Sequence, residues 1–130
     1  MNFKRFAELM MKHDLEVLFV GIVDDQCNVL ATEMRKGSHL YSSPEHIHAF
    51  IELAPTIVMG ALERMKPALG AVTAVVVRYE KRVLLFSRCE DLVVVLGFDP
   101  TVATPLAEKV GLILRRVAKE SEEQQTKPLI

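Results

Sequence analysis

AVTAVVVRYEKRVLLFSRCEDLVVVLGF, residues 71–98, reads as three strands in succession: Ala71 to Tyr79, Arg82 to Arg88 and Leu92 to Phe98. Valine, leucine and phenylalanine fill them, as befits a pleated, buried surface. Glu80-Lys81 and Cys89-Glu90-Asp91 are the only links between them, and links this short join antiparallel neighbours. Upstream, Leu15 to Val23 is apolar on both faces apart from Glu16, Asp24-Asp25-Gln26 supplies turn chemistry, and Val29 to Met34 follows. That pattern predicts a hairpin, the first and second strands.

Three helices fit around these strands. Phe3, Phe6, Leu9 and Met10 recur at helical spacing over residues 2–13. A second helix starts at Ser42-Ser43-Pro44-Glu45, where a serine caps, proline suits the first turn and Glu45 completes a capping box with Ser42, and it runs to about Met65. Pro55, with no N–H and a ring that crowds the Ile51 carbonyl, predicts a kink near its middle. A last helix starts near Thr104-Pro105 and presents Leu106, Val110, Ile113, Leu114 and Val117 on one face. Residues 1–120 then make a single domain, and the polar stretch 121–130 a fraying tail.

The element order α-β-β-α-β-β-β-α restricts the topology. The first and fifth strands are apolar at nearly every position, as central strands covered on both faces should be, whereas the second carries Thr32 and Glu33 and the fourth Arg82, Ser87 and Arg88. The expected class is α+β, with a five-stranded antiparallel sheet in the order 2-1-5-4-3 and helices on both faces.

Composition narrows the function. The 130 residues hold 16 basic and 17 acidic side chains, a net charge of -1 that attracts neither phosphate backbones nor anionic membranes, so neither nucleic acid nor membrane is the expected partner. The apolar run at 15–23 falls short of the roughly 20 residues of a membrane-spanning helix. With two cysteines and no charged leader followed by a long apolar run, the chain reads as cytoplasmic with reduced thiols.

In the expected order the third strand is an edge. A long apolar edge without lysine, proline or bulge glycine invites pairing with another chain. The second helix points the same way. Ile47, Phe50, Ile51, Ala54, Ile57, Val58, Ala61, Leu62 and Met65 make a broad core face, and beside it Ala49, Leu53, Thr56 and Gly60 form a stripe small enough for another helix to approach. A two-fold homodimer pairing strand three with strand three and helix two with helix two would use Ala49, Leu53, Thr56, Gly60, Thr73, Val75, Val76 and Val77. The plainer reading of the stripe is packing under a loop, with Pro55 shaping the helix.

No catalytic constellation is legible. The P-loop, the dinucleotide fingerprint and the nucleophile elbow are all missing from the sequence. His46 and His48, two apart on a helix, point about 200° away from each other and cannot chelate one ion; His39 with His46 is better explained as a loop histidine near a cap. Cys27 and Cys89, assigned to strands two and four, lie three strand spacings of about 4.8 Å apart, too far for a disulfide. Asp24, Asp25, Glu90, Asp91 and Asp99 fall at strand ends, where turn chemistry accounts for each. Arg78, Lys81, Arg82 and Arg88 make strands three and four locally basic, a solvated hairpin or a contact for an acidic partner. No catalytic residue, cofactor or metal is expected.

The element order, the strand Val17 to Val23 with its acidic turn, and the long alanine-containing second helix resemble the roadblock/dynein light chain family over roughly residues 2–120. Glu33-Met34-Arg35-Lys36-Gly37, Arg78-Tyr79-Glu80-Lys81-Arg82 and Gly97-Phe98-Asp99-Pro100 also look like a group of uncharacterised archaeal proteins with the same order. The resemblance implies a homodimer or heterodimer with a continuous sheet, acting as an adaptor or regulator of small GTPases, motors and scaffolds rather than as an enzyme. One departure is the first turn, Asp24-Asp25-Gln26-Cys27-Asn28, which lacks the usual glycine and leaves Asn28 to take positive φ. The first expectation is therefore a non-catalytic adaptor binding a protein partner, with a small GTPase one such class. The alternative is a small-molecule-sensing module of profilin-like fold, which needs a polar-lined cavity between sheet and helix, whereas the strands offer valine, leucine, isoleucine and phenylalanine.

Overall fold

A computed structural model describes residues 2–38 and 43–102. The predicted last helix, the 121–130 tail, Ser42 and His39 lie outside the described residues. Helix α1 spans Phe3–His13, strands β1 Val17–Asp24 and β2 Val29–Met34, helices α2 Pro44–Ile51 and α3 Ala54–Met59, a 3-10 turn Ala61–Met65, helix α4 Lys66–Leu69, and strands β3 Ala74–Arg78, β4 Val83–Cys89 and β5 Leu92–Phe98. The sheet is antiparallel throughout in the order β2-β1-β5-β4-β3, as the apolar patterning requires. Two strands are shorter than the sequence pattern suggests: β1 starts at Val17, with Leu15 79% exposed, and β3 occupies 74–78 of the predicted 71–79.

Alternation along the strands divides the core into two layers. Val17, Val20 and Ile22 of β1, Leu85 of β4 and Val94, Leu96 and Phe98 of β5 pack with Phe6, Leu9 and Met10 of α1. On the opposite face Val23, Phe86, Val93 and Val95 meet Ile51, Ala54 and Val58 from α2 and α3, with Phe50 edge-to-face on Phe86 at 6.2 Å between ring centroids. Gly21 permits the second layer. A Cβ there would stand 3.2 Å from Ile51 Cδ1, so the missing side chain is the seat that lets Ile51 lie on the sheet.

Two polar devices anchor the ends. Arg35, just after β2, donates through Nε to the Val17 carbonyl at 2.7 Å and through Nη2 to the carbonyls of Met11 at 2.7 Å and Asp14 at 3.0 Å, tying the end of α1 to the start of β1. In the β1–β2 turn the Asp24 carboxylate accepts from the amides of Gln26 and Asn28, both at 2.9 Å, and these bonds, the Asn28 amide first, hold its pKa below the ordinary carboxylate range. With Asn28 engaged in this way, the positive φ falls one residue earlier than predicted, on Cys27 at 64°. Cys27 is consequently in the turn, not on β2, and both cysteines are free thiols.

The second helix departs most from expectation. It is not one kinked rod to Met65 but a chain of short segments. Ser43, not Ser42, is its cap and accepts from the His46 amide at 3.1 Å, placing Pro44 in the first turn. The helix then stops at Ile51 and restarts at Ala54, because Pro55 has no N–H for the Ile51 carbonyl and the chain relieves the ring clash with a turn at Glu52-Leu53. It breaks again at Gly60, where any Cβ would collide with the Thr56 carbonyl oxygen. Ala61, Leu62 and Met65, predicted in the core, are consequently exposed.

Replacing Gly21 with valine forces Ile51 off the sheet. The expected cost is about 1–3 kcal/mol, read as a lower urea midpoint with an unchanged slope.

Candidate protein interface

β3 pairs with β4 and has no neighbour on its other side among the described residues. The hydrogen-bond register identifies which of its backbone groups are left over. The Arg88 amide donates to the Thr73 carbonyl at 2.9 Å and the Tyr79 amide to the Arg82 carbonyl at 2.8 Å, so odd-numbered residues of this strand face β4. Ala74, Val76 and Arg78 therefore aim their N–H and C=O groups at the bare edge. Side chains alternate in the perpendicular sense: Val75 and Val77 pack against the α2–α3 layer, while Val76 is 42% exposed.

The broken helix and the segment after it leave large apolar side chains in water. Leu53, Leu62, Met65 and Leu69 are each at least half exposed. The turn carrying Leu62 and Met65 is fastened to the sheet by Glu63, whose Oε1 accepts from Arg88 Nη1 at 3.0 Å and from the Val72 amide at 3.2 Å. This pair is largely withdrawn from water, with side chains 16% exposed for Glu63 and 29% for Arg88, and Glu63 Oε2 is buried without a hydrogen bond. One carboxylate thus holds the 3-10 turn, the entry to β3 and the end of β4 together.

Of the residues expected at a dimer interface, Thr73, Val75, Val76 and Val77 lie along or beside the bare edge, and Thr73 and Val76 are exposed. Ala49, Leu53 and Thr56 are also exposed, but they belong to α2, the break and α3, so they do not form the stripe of one continuous helix. Gly60 has a local reason to be small, the closeness of the Thr56 carbonyl. Sequence reasoning missed Leu62, Met65 and Leu69. Pro55, Gly60 and Pro67 were the signals, since each interrupts the periodicity that assigned Leu62 and Met65 to the core.

Other chemistry is sparse. Among the described residues no three His, Cys, Asp or Glu side chains are grouped to hold a metal. His48 Nδ1 lies 3.2 Å from Glu52 Oε1 on the exposed side of α2. Burial first, then the Glu90 charge, pushes the Cys89 thiol pKa up, away from the reactive thiolate. An open groove of about 330 Å³ runs between the β1–β2 ribbon and α2, lined by Phe19, Met34 and Ile47 with Glu33 and His48 at its polar positions. No helix among the described residues is long and apolar enough to cross a membrane.

The architecture matches solved structures across its length. The roadblock/LC7 domain of Streptomyces avermitilis aligns with a TM-score of 0.68, covering 98% of this chain and 100% of that one at 11% identity. The chain has a roadblock fold. The gliding protein MglB of Thermus thermophilus aligns with a TM-score of 0.65 over 89% of this chain and 87% of that one at 20% identity. MglB of Myxococcus xanthus gives 0.68 over 99% and 93% at 14% identity. An MglB structure with a tetrameric arrangement gives 0.68 over 92% and 86% at 22% identity. No family model and no curated protein matches the sequence. The roadblock fold explains why the apolar strands order as they do, and at these identities it is the fold that is shared.

Replacing Glu63 with alanine leaves Arg88 half-buried without its carboxylate and the Val72 amide without an acceptor. The expected loss is about 2 kcal/mol, with earlier proteolysis between Gly60 and Thr73 than elsewhere in limited digestion.

Proposed function

We propose that the chain is a non-catalytic adaptor or regulatory scaffold, acting as a roadblock-like homodimer that presents a surface to a protein partner. The observation that carries this reading is the edge of β3, which has no neighbour among the described residues: three outward backbone residues, Ala74, Val76 and Arg78, in a chain that also exposes Leu62, Met65 and Leu69. An edge of this kind left in water is an aggregation hazard, and no lysine, proline or bulge within β3 blunts it. Self-pairing about a two-fold axis removes the hazard and buries the apolar turn in the same step.

The partner class rests on the family resemblance, within which small GTPases, motors and scaffolds are the recurring clients. The chemistry of the surface supports a regulator rather than an enzyme: its exposed groups are backbone amides, valines and leucines, which pair with other proteins and transfer no protons.

Light scattering tests the dimer. The intact chain is expected at twice its 14.6 kDa mass. Val76→Lys, which places a charge on the edge, and Leu62→Asp, which places one on the apolar turn, are each expected to shift it to the monomer with the circular dichroism spectrum unchanged. A monomer in the unaltered chain at every concentration would overturn the reading.

A further inference from the structure

The sheet has a second edge. β2 closes it at the end opposite β3 and has no further strand beside it among the described residues. The Arg35 amide donates to the Leu18 carbonyl at 2.8 Å and Glu33 lies opposite Val20, so the odd-numbered residues here bond to β1. Thr32 and Met34 therefore turn their N–H and C=O groups outward. The stretch is held firmly, since Arg35 ties its end to the carbonyls of Val17, Met11 and Asp14. It is also short, because the β1–β2 register shifts between Ile22 and Val23.

The open groove of about 330 Å³ adjoins this edge. Thr32 and Met34 lie opposite Gly21 and Phe19, on the face that carries α2, where Phe19, Met34 and Ile47 give the groove its apolar lining. Glu33 alternates to the α1 face with its partner Val20. No lysine or arginine lines the groove, and His48 already has Glu52 Oε1 3.2 Å away. The charge offered to an incoming chain is therefore the Glu33 carboxylate.

We propose that β2 and this groove bind an extended peptide segment of a partner protein, added antiparallel to β2, with an apolar, a cationic and a second apolar residue in succession. The apolar residues fall opposite Thr32 and Met34, exchange backbone hydrogen bonds with them, and set their side chains on the α2 face beside Phe19, Met34 and Ile47. The residue between them faces Glu33 in a non-hydrogen-bonded pair, where Cα atoms are about 4.5 Å apart and a lysine or arginine meets the carboxylate. Backbone bonds supply affinity, while the groove and Glu33 supply selectivity. A second β2 is a poor occupant, because two-fold pairing centred on Glu33 sets one carboxylate against another. A small molecule in the groove leaves the outward groups of Thr32 and Met34 unused. The site deepens the adaptor reading by naming the chemistry of a client, and it lies away from β3, so it does not depend on the homodimer.

Selection of a displayed library of random short peptides on the intact chain tests the site. Enriched peptides are expected to share the apolar, cationic, apolar core. In fluorescence polarisation, N-methylation of either apolar residue of an enriched peptide is expected to weaken binding about tenfold or more, and N-methylation of the central residue, whose amide points away from β2, by less than about twofold. Glu33→Lys is expected to weaken the same peptide about fivefold and to accept a version with glutamate at the centre about as well as the unaltered chain accepts the cation. No enrichment, a core without the cation, or binding that tolerates methylation at the apolar positions would overturn the proposal. So would higher assembly of the chain alone that Thr32→Pro abolishes, which assigns the edge to a second copy. A chain that binds the peptides yet stays monomeric would sink the homodimer and spare this site.

Discussion

A β-strand carries two rows of hydrogen-bonding groups, and β3 has a neighbour for only one of them among the described residues. The rest of the account follows from that imbalance. The central strands β1 and β5 are paired on both sides and largely buried on both faces, so they hold no surface to offer a partner. The opposite edge, β2, is tied down by Arg35 and by contacts with α1. Among the described residues β3 leaves an outward row of backbone groups unpaired beside its valines, and the proposed dimer adds the second chain there.

The broken connection between β2 and β3 supports the same edge. A continuous helix would have turned Leu62 and Met65 inward over the sheet. Pro55 and Gly60 divert the chain instead, and the 3-10 turn that results is held in place by one carboxylate bonded to Arg88 and to the Val72 amide. The charged pair is shielded enough for its loss to be felt, and its placement gives it a positioning role: it holds the 3-10 turn against the entry to β3 and the end of β4. Ile51, seated over Gly21, anchors the other end of the same connection.

Much of the fold was legible because it rests on patterns local to the chain. The order of the strands follows from which are apolar throughout and which alternate, and β5 was read with its observed bounds, Leu92–Phe98. Helix continuity was not legible, since hydrophobic periodicity persists through 47–65 even though the backbone breaks at Glu52-Leu53 and Gly60. Of the candidate interface, the sequence named Thr73, Val75, Val76 and Val77 on the third strand, while the exposure of Leu62, Met65 and Leu69 went unrecognised. The Glu63–Arg88 pair could not be seen in advance. Its partners are 25 residues apart and no spacing rule connects them. The Cys27 turn was missed by one residue because the bonds from Asn28 to the Asp24 carboxylate decide which residue crosses to positive φ.

The central claim is that the outward backbone groups of β3 are paired by a second copy, and amide hydrogen exchange reads those groups one by one. Val75 and Val77 face β4, so their protection should be the same at every protein concentration. The amides of Val76 and Arg78 should exchange rapidly in dilute protein and slow by about tenfold or more as concentration rises through the dimer range. Exchange of Val76 that stays rapid at every concentration while Val75 stays protected would contradict the account.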